Sequence, residues 1–142
     1  MRERLEAWRR GDTAPAVARL VGMRLNEVGD GRAAVELDAD PERHANPMGT
    51  VHGGILCDLA DAAMGCAYAS RLGVHESFTT LELKINFLKP VRQGRLAASA
   101  RIVRGGRTIG LVECDVTDGA GSLVARASST CMTLRADADP GR

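Results

Sequence analysis

The chain has 142 residues and a mass of 15.1 kDa, which is one domain by size, burying roughly 68% of its unfolded surface around a true core. Hydrophobic residues at 44% and charged residues at 26% exclude the disordered and fibrous classes. A net charge of +1 and only four aromatic rings (Trp8, Tyr68, Phe78 and Phe87) exclude the basic field and stacking platform that hold nucleic acid.

The start, MRERLEAWRR, mixes both charges without an apolar run, so it reads as neither a secretion signal nor a membrane anchor, and a cytoplasmic protein is expected. Residues 1–20 predict a short helical segment: one helix near Arg2 to Arg10, and a second with Pro15 in its first turn running to Leu20. Both read as lying outside the core. From Met23 to Asp38 the pattern becomes a hairpin around Gly29-Asp30-Gly31, with Ala33, Val35 and Leu37 alternating against Ala34, Glu36 and Asp38.

A loop follows from Pro41 to Gly49, then a helix from about Val51 to Ser70, ending near Gly73 as a left-handed cap. Ile55, Leu56, Leu59, Ala63, Cys66 and Ala67 share one stripe of that helix, while Cys57, Asp61, Met64 and Tyr68 line the opposite side. A helix apolar on two sides needs two covers, and one sheet supplies only one, so a second subunit is expected. Period-two alternation then returns at Leu81, Leu83, Ile85 and Phe87, ended by Pro90, and three more strands near Leu96 to Val103, Thr108 to Thr117 and Leu123 to Leu134 complete a meander. A polar tail spans 136–142. The whole predicts a single α+β domain over 1–142, a central helix packed on an antiparallel sheet.

The four cysteines stand 9, 48 and 17 residues apart, which matches no zinc-site spacing and suits buried thiols. The segment able to carry chemistry is Asn46-Pro47-Met48-Gly49-Thr50-Val51-His52-Gly53-Gly54. Gly53 and Gly54 allow close approach to the backbone, and the first amides of a helix are unpaired donors at its positive end, suited to an oxyanion. Alternatively the glycines only permit a tight entry turn. Asp61, on a partly apolar face, is the candidate general base or nucleophile, because desolvation raises a carboxyl toward a useful pKa. Asp58 reads as a helix-stabilising carboxylate. His52 either positions a reacting group or holds the loop by hydrogen bonds, and His44 and His75 read as surface histidines. No metal-ligand spacing stands out among His44, His52 and Asp61. Between Lys89 and Arg107 lie six basic residues (Lys89, Arg92, Arg95, Arg101, Arg104 and Arg107) and no acidic one, which points to an anionic ligand held by Lys89, Arg92, Arg104 and Arg107, or to a solvated charged turn.

The run NPMGTVHGGILCDLAD, Asn46 through Asp61, resembles the HGG segment of the hotdog-fold acyl-CoA thioesterases, in the branch that includes the phenylacetate-pathway thioesterases. INFLKPVRQG and VRGGRT resemble it as well, so the likeness covers roughly Val17 to Leu134. It implies a long helix wrapped by an antiparallel sheet, paired into dimers, often as tetramers, with active sites between subunits. It also implies hydrolysis of acyl-CoA, aryl or medium-chain, without metal or cofactor, coenzyme A being part of the substrate. In the roles it implies, Asp61 is the catalytic carboxylate and Gly53 the oxyanion donor. Asn46 and His52 orient the thioester or water, and a hydroxyl from the other subunit falls at Thr80, with Thr79 an alternative register. Asp58 is not part of the family pattern. Two other readings remain: a non-catalytic acyl-CoA sensor, and a hotdog hydratase or dehydratase.

Overall fold

The computed structural model describes residues 1–135, and the polar tail expected over 136–142 lies outside them. Helix α1 (Arg2–Arg10) and helix α2 (Ala16–Val21) each end at a left-handed glycine, Gly11 at φ 82° and Gly22 at φ 92°. The expectation that they lie outside the core is corrected, since Leu5, Trp8, Ala18 and Val21 are all buried in it. Leu5 and Trp8, three residues apart, share the one apolar side of an otherwise charged helix, and that helix packs on the first strand.

Strands β1 (Met23–Gly29) and β2 (Arg32–Ala39) form the expected hairpin, with Asp30 at φ 48° and Gly31 at φ 76°, both left-handed as a type I′ turn requires. A one-turn helix α3 (Pro41–His44), its Glu42 amide capped by Asp40 at 2.9 Å, interrupts the segment read as loop. Helix α4 (Gly53–Ala69) follows, then β3 (Glu76–Phe87), β4 (Gly94–Gly105), β5 (Ile109–Asp118) and β6 (Leu123–Arg135). All six strands pair antiparallel in the order β1-β2-β4-β5-β6-β3, and α4 lies against every one of them. This is the expected α+β arrangement of a long helix held by one antiparallel sheet. None of the described helices is long and apolar enough to cross a membrane.

The meander is corrected in one strand. β4, β5 and β6 are consecutive neighbours, but β3 lies beyond β6 at the sheet edge. The amides of Leu88 and Lys89 both donate to the Val124 carbonyl, at 2.8 and 3.1 Å, so the chain leaving β3 is tied to the start of β6 instead of turning back into β4. The expected inward set of β3 also changes. Leu83 and Ile85 are half-buried, whereas Leu81 and Phe87 are 52% and 54% exposed. Register with β6 slips between Thr80 and Glu82, so Leu81 is the extra residue of a bulge, and upstream of it Phe78 and Thr80 face the helix side.

The end of α4 differs from the expected glycine cap. Ser70 stops the helix at φ −63°, its hydroxyl donating to the Ala67 carbonyl at 2.7 Å and accepting from the Gly31 amide at 2.8 Å. The two-sided apolar helix is also narrower than expected. Met64 and Tyr68 are buried by the chain's own sheet, Tyr68 lying 5.5 Å from Phe78 between ring centroids, with its hydroxyl 2.8 Å from Thr133 Oγ1. What one chain leaves uncovered is a strip where Gly54, Asp58 and Asp61 are exposed and Cys57, Ala62 and Gly65 half-buried.

Gly110 of β5 lies under the buried Tyr68 ring, where an added Cβ would stand 2.5 Å from Cε2. Gly110→Ala is therefore expected to cost about 1–3 kcal/mol by overpacking, read as a lower urea midpoint at unchanged slope. A wild-type midpoint would mean that the ring has room to yield.

Candidate active site

The loop before α4 is folded by its own side chains. Asn46 Oδ1 accepts from the amides of Met48 at 2.9 Å and Thr50 at 3.2 Å, and its Nδ2 donates to Thr50 Oγ1 at 2.9 Å. The Asn46 carboxamide thus shapes the loop. Gly49, at φ 75°, closes the turn, and the Arg92 guanidinium donates to its carbonyl at 3.3 Å. The Val51 amide donates to Val91 at 2.7 Å, which fixes the segment after β3 against this loop.

His52 is the N-cap of α4. Its Nδ1 accepts from the Gly54 amide at 2.8 Å, so the neutral ring carries its hydrogen on Nε2, an outward donor on an exposed residue. A Cβ on Gly54 would stand 2.9 Å from that Nδ1, which explains glycine at this position. The Gly53 amide, first of the helix, takes no hydrogen-bond partner among the described residues. The Phe87 ring lies against Gly53, with Cζ 2.9 Å from where a Cβ would be. Asn46, Thr50, Gly53, Phe87 and Lys89 line a cavity of about 410 Å³ here.

Asp61 lies farther along α4 and accepts a hydrogen bond from Thr80 Oγ1 of β3 in the same chain at 3.3 Å. Solvent reaches one side of Asp61, yet desolvation by the surrounding helix and strand raises its pKa above the ordinary carboxyl value. The Thr80 bond opposes that shift and the charge of Asp58 adds to it. Thr80, half-buried, is the hydroxyl facing Asp61, while Thr79 is exposed on the other face. Burial, with the charges of Asp58 and Asp61, also pushes the Cys57 thiol up, so it stays protonated. Cys66 and Cys114, deeper in the core, are pushed to about 12.

Two sequence expectations are corrected here. His44 is not at the surface: it is 3% exposed, its Nδ1 accepting from the Asp40 amide at 2.9 Å and its Nε2 lying 2.9 Å from the Val21 carbonyl. It braces α3 against α2. The second concerns the six basic residues, which do not form one surface within a chain. Lys89, paired to Asp118, and Arg92 stand beside the α4 N-terminus. Arg95 and Arg101 pair with Glu36, Asp38 and Glu113 on the sheet. Arg104 and Arg107 flank the β4–β5 turn, and Arg107 lines a cavity with Tyr68 and Arg71 at the opposite end of α4, roughly 25 Å away for a helix of this length. Phe87, expected in the core, is the site residue that sequence patterning misplaced: it keeps the face of Leu83 and Ile85 but stands at the end of β3, over Gly53 at the start of α4.

Residues 48–125 match the family model described as the thioesterase superfamily. The chain belongs to that superfamily. A Saccharolobus solfataricus protein provisionally named an esterase is 32% identical to this thioesterase over 86% of either chain. The solved structure of a Ralstonia eutropha protein related to phenylacetic acid degradation, provisionally named a thioesterase, superposes with a TM-score of 0.81 at 32% identity, covering 91% of this chain and 98% of that one. The 1,4-dihydroxy-2-naphthoyl-CoA hydrolase of Listeria monocytogenes is 29% identical over 69% of this chain and 79% of its own. The fold is the hotdog shared with that phenylacetic acid degradation-related thioesterase, and the chain is a thioester hydrolase.

Proposed function

We propose that the thioesterase cleaves aryl or medium-chain acyl-CoA at a site made from two chains, with Asp61 and Thr80 of one subunit and Gly53, His52 and Asn46 of its partner. The observation that carries this is a distance along α4. Gly53 and Asp61 are eight residues apart on one helix, about 12 Å of axis, whereas one carbonyl carbon needs its nucleophile and its oxyanion donors each about 3 Å away. A single chain therefore cannot bring its own Gly53 amide and Asp61 carboxylate to the same thioester. A twofold axis that sets two α4 strips together makes two equivalent composite sites, and the edge strand β3, which carries exposed Leu81, is free to pair with its symmetry mate.

In this reading the carbonyl oxygen meets the Gly53 amide at the positive end of α4, which stabilises the tetrahedral oxyanion. Asp61 either attacks the carbonyl carbon, releasing the coenzyme A thiolate and leaving an anhydride for water to open, or takes a proton from the attacking water. Its raised pKa makes it the better base. His52, next to Gly53, offers an exposed Nε2–H donor, and Asn46 acts by shaping the loop that presents Gly53. Gly54 keeps the cap open. Lys89 and Arg92 would meet the coenzyme on the Gly53 side, while Arg104 and Arg107 reach it only from another chain. The names of the Ralstonia and Listeria relatives support an aryl acyl group.

Subunit complementation tests the composite site. Gly53→Pro removes the first-turn amide at a position whose helical backbone proline tolerates, with the exposed Phe87 ring shifting to admit the added carbons, and Asp61→Asn removes the carboxylate. Each variant alone is expected to be nearly inactive in thiol release from acyl-CoA. Unfolded together and refolded as a mixture, they should regain about a quarter of the wild-type rate, because half the dimers are hybrids and each hybrid has one intact site. No regain from a mixture shown to form hybrids would place both groups in one chain's site and overturn the proposal.

A further inference from the structure

We infer that the N-terminal helices α1 and α2 form the acyl-binding wall of this enzyme, with Trp8 at its base, an inference that rests on the reading of Asp61 as the group that meets the thioester carbonyl. A cavity of about 360 Å³ opens between these two helices, β1, α4 and β3. Leu5 and Trp8 of α1, Pro15, Val17 and Ala18 beside and within α2, Met23 of β1 and Phe78 of β3 supply its apolar lining. Apart from Arg4 and Asp61, every lining side chain is apolar or small. Asp61 therefore belongs to the wall of an otherwise apolar chamber, which is where the carbon next to a thioester carbonyl must go once that carbonyl is held at the carboxylate.

The chamber's chemistry selects its occupant. Two of the four aromatic rings in the chain, Trp8 and Phe78, face this space, and beyond Arg4 and Asp61 the wall offers only the Trp8 indole N–H and the weak Cys66 thiol for hydrogen bonding, so a sugar or nucleotide would lose most of its hydrogen bonds there. At roughly 30 Å³ per non-hydrogen atom, the share of liquid volume taken by one water, the space holds about twelve such atoms. An aryl-acetyl group or a chain of eight to ten carbons fills such a space. The cavity at the far end of α4 is different in kind, bounded by Asp30, Arg71, Glu76, Arg107 and Arg135, and cannot serve this purpose.

Trp8 is the sole tryptophan, so its emission reports the chamber without any labelling and without turnover. Titration of the wild-type protein with the non-hydrolysable thioether S-octyl-CoA is expected to shift or quench Trp8 fluorescence, while free coenzyme A and S-methyl-CoA leave it unchanged. A second arm reads specificity. Val17→Phe, at a half-exposed rim position, is expected to lower kcat/KM for octanoyl- and phenylacetyl-CoA at least tenfold relative to acetyl-CoA, since one methylene's worth of pocket is worth about 10- to 200-fold. Trp8→Leu should extend the profile toward longer chains. An acyl profile that neither variant alters, or S-octyl-CoA bound to saturation with Trp8 emission unmoved, would overturn the inference. Asp61→Asn, by contrast, should depress every acyl length alike, and the fluorescence arm reads the chamber even if that variant stays active, so failure of the chamber and failure of Asp61 are told apart.

Discussion

Asp61→Asn is expected to lower kcat for acyl-CoA hydrolysis by about two to four orders of magnitude, the range typical of a lost catalytic base, with thiol release as the measurement. The substitution hardly changes volume, so circular dichroism should stay native. The melting temperature should equal or exceed that of the parent. The sign follows from the pKa: because Asp61 is raised in the folded state, its ionised form is less favourable there than in the unfolded chain. Above the folded pKa that charge opposes folding, and a neutral amide removes the penalty. Near-normal turnover by a natively folded Asp61→Asn protein would remove this carboxylate from the mechanism. The same shift governs the pH profile of the parent. Activity requires ionised Asp61, so the acid limb of kcat/KM should lie above the ordinary carboxyl range. Thr80→Val, which deletes the hydrogen bond opposing the shift, should move that limb to higher pH. Asp58→Asn removes the neighbouring charge that adds to the shift and should move it slightly lower, with only a mild loss of rate.

Met64→Lys is expected to abolish folding. Sequence patterning puts Met64 on the second apolar side of α4, where a charge would disturb assembly or the adjoining site. In the fold, Met64 is 0% exposed inside one chain. An unpaired ammonium there has no hydrogen-bond partner and no route to water, and its desolvation exceeds the margin of a typical domain, about 5–15 kcal/mol. Met64→Ala should fold but lose about 2–5 kcal/mol through the cavity it leaves, measured by urea denaturation. Soluble, natively folded Met64→Lys monomers would instead place this residue at the subunit interface. The strip of α4 that one chain leaves open is at Gly54, Asp58, Asp61 and Ala62, and charge reversal at Asp58 is the fairer probe of assembly.

Elements governed by neighbours in the chain were legible from the letters alone. The Asp30-Gly31 turn demands left-handed backbone that aspartate and glycine accept, so the first hairpin followed with its inward Ala33, Val35 and Leu37. His52-Gly53-Gly54 before an apolar run marked the start of α4, and the helix begins at Gly53. The run from Asn46 to Asp61 carried the family likeness because the loop, the cap and the helix face it forms are all set by local spacing. Contacts distant in sequence were not legible. β3 reads like the first strand of a meander, yet the Val124 carbonyl captures the chain leaving it, a one-residue bulge at Leu81 turns the upstream alternation over so that Phe78 and Thr80 face the helix, and Phe87, at the strand's end, lies on Gly53 instead of in the core. The charged letters of α1 concealed Leu5 and Trp8, whose burial depends on β1 meeting the helix. His44 looks like any surface histidine until the Val21 carbonyl arrives from α2. Six basic residues close in sequence were scattered between the two ends of α4 and the sheet surface, because antiparallel strands carry consecutive residues away from each other. The local frame was legible in the letters, since turns, caps and helix faces depend on residues a few positions apart. Which groups stand together was settled by tertiary packing, because a register shift or an edge position depends on how distant segments meet.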